Sequence, residues 1–209
     1  MWQAGRVRPP VGVREERTVI VTPPAVGDTE GHAAQMYASD LQDAGFVFSH
    51  TQVMAINPEA HEAFEALIGA IVPSIGVRTY ELATLGAARG IPSPHCLLAH
   101  GRKSLRAELF DEDQLERIGR DYETAGLDEA DVAVMRFAEK VSTDAAAMTD
   151  ADSQTLRDHG FSDRQIVDIA LAAGARNFLS RTLRALDVPF EAVPGLSPRL
   201  SDALLSPTH

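Results

Sequence analysis

The sequence predicts an all-α domain, and three observations carry that prediction. Apolar residues make up 44% of the 209 positions but aromatics only 6%, so the apolar set is mostly Ala, Leu, Val and Ile, a composition that favours helices over sheets. Apolar positions recur at three- and four-residue intervals. Cap residues punctuate the chain often enough for about seven or eight helices joined by short turns. No stretches pair convincingly as strands.

Taken in order, residues 1–28 read as an irregular N-terminal arm. Pro9, Pro10, Pro23 and Pro24 break any helix there, and only Thr18–Thr22 (TVIVT) has strand character. The arm is either loosely ordered or laid across a neighbouring subunit. Asp28 or Thr29 caps a helix to about Ala44, closed by Gly45. Phe46, Val47 and Phe48 form an apolar plug. Asn57-Pro58 starts a helix carrying Ala63, Phe64, Leu67, Ile68 and Ile71, and Pro73 ends it. Two helices follow, near Val77–Ala88 and Pro94–Glu108. Asp111 with Gln114, and Ser162 with Gln165, read as capping boxes. Asp128 caps a helix with Val132, Met135, Phe137, Ala138 and Val141 inside. Thr149 opens a short helix closed by Gly160. The helix after Ser162 runs to about Leu186, and Pro189 closes the packed domain, 29–189. Residues 190–209 read as a tail with one short helix near Arg199–Leu205.

The net charge of −11 argues against nucleic-acid partners and anionic membrane surfaces. No apolar run approaches bilayer-spanning length. Arg6, Arg8, Arg14 and Arg17 precede no apolar segment of signal-peptide type. The single cysteine excludes an internal disulfide and fits a reducing, cytoplasmic setting. No phosphate- or dinucleotide-binding glycine loop is present. His32, His50, His61, His159 and His209 show no metal-ligand spacing, so neither metal nor cofactor is expected.

The chemistry concentrates in Glu81–His100, ELATLGAARGIPSPHCLLAH. Gly90 reads as the left-handed residue closing one helix. Ser93 then reads as an N-cap and Pro94 as the first residue of the next helix. Cys96 falls in that helix's first turn, near unpaired N–H groups and the positive end of the helix dipole, which favours a thiolate. His100, four residues on, shares its face. His95 points about 100° away around the helix. Each residue also has a plainer reading: Cys96 as a small buried hydrophobe, His95 as a surface histidine, Glu81 as a dipole partner, Ser93 as a cap only. Arg89 and Arg176 read as charges at helix C-termini. Glu81–Gly90 and Asp168–Asn177 (DIALAAGARN) share an acid, a run of small residues and an arginine, which hints at two related hairpins.

Glu81, eleven residues, Ser93, two residues, Cys96, three residues, His100 resembles the motif of the AhpD-like alkylhydroperoxidases within the carboxymuconolactone decarboxylase family, where a cysteine takes the place of Ser93. His95 falls where that group has a histidine between its cysteines. The segments NPEAHEAFEALIGAIV, MRFAEKVSTD and HGFSDRQIVDIALAAGARNFLSRTLRALDV resemble its peroxidase-related branch, so the likeness spans roughly Phe46–Val188. It implies an AhpD-like helical bundle, a trimer or a hexamer of trimers, Cys96 as the peroxide-attacking thiol, and Glu81, His100 and His95 as a proton relay. Ser93 can pass a proton but cannot resolve an oxidised thiol. The implied activity is a one-cysteine alkyl hydroperoxide reductase that acts on a small hydroperoxide and depends on an external thiol or protein reductant. Two alternatives stay open: acid–base lyase chemistry of the decarboxylase kind through Glu81 and His100, and a non-catalytic oligomer that senses oxidant or binds a small ligand.

Overall fold

The computed structural model describes residues 19–208. Among them it is all-α and forms a single domain, with nine α-helices: α1 (Gly31–Ala44), α2 (Ser49–Met54), α3 (Pro58–Gly90), α4 (Pro94–Arg106), α5 (Glu112–Asp121), α6 (Glu129–Asp144), α7 (Asp150–Asp158), α8 (Asp163–Ala185) and α9 (Pro198–Leu205). There is no strand among the described residues. Of the TVIVT segment, Thr18 lies outside them, and Val19 and Val21 pack as irregular chain beside Leu183 and Val188.

Local capping sets most boundaries. Asn57, Asp111, Asp128 and Ser162 accept hydrogen bonds from the backbone N–H three residues on, satisfying donors that the first turn leaves unpaired. The pairs Thr149/Asp152 and Ser162/Gln165 close reciprocal capping boxes. At Asp111 the cap forms as a single bond from the Gln114 N–H, not as the reciprocal box expected there; α5 then stops at Asp121 and a short 3-10 turn, Tyr122–Thr124, completes the approach to Gly126.

Pro73 and Gly90 behave differently from their sequence reading. Pro73 does not end its helix: helical backbone continues to Gly76, where φ 76° and ψ 161° break α3 into two helices. A helix can bend past a proline that costs one hydrogen bond, whereas positive φ at Gly76 is open to glycine with little strain. Gly90 is not a left-handed cap. It is the last helical residue, and it lacks a side chain where α6 crosses closely: a Cβ there would stand 2.8 Å from the Glu139 carbonyl oxygen.

The second half of α3 is the axis of the bundle. Every residue from Tyr80 to Ala88 is buried, and α3 packs most extensively on α6 and α8. Small residues permit that closeness. A Cβ on Gly86 would meet the Met135 carbonyl oxygen at 2.5 Å. Among the described residues, α3 alone is long and apolar enough to cross a membrane by length and composition. That length, which no single run in the sequence offers, comes from joining two helices across the Gly76 break.

Packing continues past Pro189. Leu200 and Leu204 of α9 are buried in the main core and Ala203 is buried beside them, with α9 packed against α5 and α4. Gly101 and Gly119 make room for them. The local sequence PRLSDALL shows an amphipathic turn but not the glycines, about a hundred residues earlier, that receive it.

Candidate functional site

Residues of three helices meet at the single cysteine. Ser93 is the N-cap residue of α4 and Pro94 its first residue, though the Ser93 hydroxyl makes no cap hydrogen bond. Cys96 follows in the first turn and is 2% exposed. Its Sγ shares a hydrogen bond with Ser180 Oγ at 3.0 Å, and Arg176 Nη1 approaches it to 3.9 Å. Both partners lie on α8, four residues apart and therefore on one face.

One turn further along α4, His100 is buried. Its Nδ1 is 2.6 Å from Glu81 Oε2 on α3, and its Nε2 is 2.9 Å from Arg176 Nη1. A guanidinium only donates, so Nε2 accepts and Nδ1–H donates to the carboxylate. The imidazole is neutral in that arrangement. Burial is the largest influence on it and pushes its pKa down to about 4, with Glu81 opposing and Arg176 adding to the shift. Burial alone would raise the Glu81 carboxyl, but His100, Lys103 and Arg176 together hold it below its ordinary value. His100 gives that support fully only as imidazolium. At neutral pH, with the ring uncharged, the cations Arg176 and Lys103 sustain the carboxylate. The result is a buried line of carboxylate, neutral imidazole and guanidinium, with the sulfur at the guanidinium end.

A cavity of about 340 Å³ opens beside this line, with Cys96, His100, Arg176, Tyr80, His95 and Phe64 among its walls. Burial raises the Tyr80 hydroxyl pKa, so Tyr80 is a proton donor at neutral pH. Its oxygen is 3.5 Å from Arg176 Nη2. The Phe64 ring lies 5.1 Å from the Arg176 guanidinium carbon, within cation–π range.

Of the residues singled out by sequence, Cys96, His100 and Glu81 come together. His95 lines the same cavity, but its Nε2 pairs with the Pro189 carbonyl at 3.0 Å. Burial lowers its pKa, partly offset by that carbonyl. Ser93 is buried at the cap and is not among the cavity-lining residues. Arg176 is not a helix-end charge. It sits in the middle of α8 and is 4% exposed, whereas Arg89 does lie in the last turn of its helix and donates to the Gly119 carbonyl. Sequence reasoning missed Arg176 and Ser180. The available signal was their i, i+4 spacing within a stretch otherwise made of small buried residues.

The all-helical fold is that of the AhpD core. Comparison with protein-family models and with curated proteins finds no match. Among solved structures, the chain is similar to an uncharacterized peroxidase-related protein with an alkylhydroperoxidase AhpD core from Ralstonia eutropha, at TM-score 0.69 and 21% identity over 84% of this chain and 94% of that one. It is similar to an uncharacterized peroxidase-related protein from Silicibacter sp., at TM-score 0.66 and 27% identity over 76% and 84%. A debrominase solved in complex with 2,3,4-tribromopyrrole matches at TM-score 0.69 and 20% identity over 91% and 97%.

Proposed function

We propose that this protein is a one-cysteine thiol peroxidase acting on small hydroperoxides. The observation that carries the reading is the placement of the Cys96 sulfur at a cavity wall between the Ser180 hydroxyl and the Arg176 guanidinium. A guanidinium beside sulfur stabilises negative charge on it, and the thiolate is the nucleophile. Sulfur attacks the terminal peroxide oxygen, the O–O bond breaks, and the alkoxide takes up the proton the thiol gave away. The products are a Cys96 sulfenic acid and an alcohol. With no second cysteine in the chain, two external thiols or a protein dithiol return the sulfenic acid to thiol, forming a disulfide and water. A trimer or hexamer is part of the same proposal, supported by the likeness in the sequence motif.

The test is hydroperoxide consumption with dithiothreitol as reductant, together with intact mass after one equivalent of peroxide. The parent protein turns over and gains about 16 Da, one oxygen. Cys96→Ser does neither. Turnover by Cys96→Ser equal to that of the parent would refute the proposal.

A second reading uses the same sulfur on a halogenated ring. The apolar part of the cavity wall, Phe64, Ile68, Leu179 and Leu183, favours it, and one structural relative is a debrominase. Bromide release from a bromopyrrole, dependent on Cys96, separates it from the first.

A further inference from the structure

His32 on α1 and His61 on α3 turn their rings toward each other, with Nε2 of one 2.9 Å from Nδ1 of the other. Glu65 lies one helical turn after His61, so the two share a face of α3. Its Oε2 is 3.5 Å from the His32 nitrogen and 3.8 Å from the His61 nitrogen, longer than a good hydrogen bond to either. We propose that His32, His61 and Glu65 form a binding site for a divalent first-row transition ion, with zinc the probe of choice.

The distances fit such an ion. A triangle with sides of 2.9, 3.5 and 3.8 Å has its equidistant point about 2.0 Å from each corner, the length of a zinc bond to imidazole nitrogen or carboxylate oxygen. Two imidazoles sharing a tetrahedral ion hold their ring centres about 5.2 Å apart, and the His32 and His61 centroids are 5.2 Å apart. Opening the nitrogens from 2.9 Å to the tetrahedral edge of about 3.4 Å needs only a tilt of the rings. Two histidines and one carboxylate are also a recognised donor set for zinc and for non-haem iron, and they leave coordination positions open. Access is provided: the side chains of His32 and His61 are 20% and 21% exposed and that of Glu65 58%. His61 and Glu65 also line the Cys96 cavity, so an ion here places positive charge on a wall that the thiol shares. The inference does not depend on the peroxidase reading.

The alternative is a plain imidazole–imidazole hydrogen bond with the carboxylate standing by. Calorimetric titration of the full chain, carrying no polyhistidine tag and stripped by chelator, with zinc decides between them. We expect about one ion per chain, with affinity weakened at least tenfold in His32→Ala and in Glu65→Gln and unchanged in Cys96→Ser. Zinc binding that is absent, that survives His32→Ala undiminished, or that disappears in Cys96→Ser would overturn the proposal. Should His32→Ala fail to fold by circular dichroism, the cobalt(II) spectrum of the parent decides. One equivalent giving intense visible bands without a thiolate charge-transfer band supports the site, and weak bands of a fully hydrated ion refute it.

Discussion

Replacing His100 with Gln should flatten the acid dependence of stability, and the size of the effect follows from the site. An unfolded imidazole titrates near 6.5, while burial, with Arg176 and Lys103 adding to it and Glu81 opposing, lowers the folded value to about 4. A lowered value means that the unfolded state binds the proton more readily. The stabilisation is therefore complete above about pH 6.5 and is lost as the pH falls toward 4. At about 1.36 kcal/mol per unit, the loss is about 0.2 kcal/mol at pH 7 and about 2 kcal/mol at pH 5. The ring is 2% exposed, so solvent screening does not reduce the figure much. Glutamine keeps an N–H for Glu81 and does not titrate.

Urea unfolding at pH 7 and pH 5 reads the difference at constant temperature. Between the two, the parent should lose about 2 kcal/mol more than His100→Gln, or about 4–8 °C in melting temperature for a chain of this size. Other groups contribute nearly equally to both proteins and cancel. Glu81 does not reverse the sign: without its partner its carboxyl protonates more readily in the fold, which flattens the variant further. Parallel curves for the two proteins would refute the argument. They would mean that the folded ring is charged, and a charged ring cannot accept from Arg176.

Arg176→Met keeps much of the buried volume and removes the guanidinium that approaches the sulfur. Alkylation of Cys96 by iodoacetamide at neutral pH should slow with the helical spectrum intact, and an unchanged rate would remove Arg176 from the site. Leu204→Ala opens a void against Gly101 and should cost about 2–5 kcal/mol in urea unfolding; a loss well under 1 kcal/mol would make α9 peripheral. Ser93→Cys places a second thiol at the N-cap of α4, three residues before Cys96. On peroxide treatment it should lose both free thiols by thiol assay, and retention of both would show that the cap geometry forbids the bridge.

What could be read from the sequence was whatever neighbouring residues decide among themselves. The caps at Asn57, Asp111, Asp128, Thr149 and Ser162 satisfy donors within three residues of themselves, so their signals are local. The shared face of Cys96 and His100 follows from four-residue spacing in the same way. Glu81 stood out only through a family likeness, because its partner lies on another helix. Gly90 and Arg176 were misread for a common reason. A glycine near a helix end reads as a cap and an arginine after small residues reads as a terminal charge, unless one knows that α6 crosses the first and that α4 brings a histidine to the second. His32 gives no local hint of His61, twenty-nine residues away.

The charge arrangement bears on how a proton could move if Cys96 reduces peroxide. Glu81 and Arg176 compensate each other across the neutral ring, and Lys103 adds a further cation on the same cavity wall, so a Cys96 thiolate adds its negative charge to a cluster that holds two cations and one carboxylate. Attack on a peroxide passes that charge to the leaving alkoxide, which then needs a proton. His100 is badly placed to give it, because its one N–H is committed to Glu81 and its Nε2 already accepts from Arg176. Ser180 shares a proton with the sulfur, and Tyr80 keeps its own at neutral pH. In this geometry the histidine holds the guanidinium that approaches the sulfur, and the Ser180 hydroxyl is the hydrogen-bond partner of the sulfur itself. The relay of Glu81, His100 and His95 expected from the family likeness would first need Arg176 to leave the imidazole.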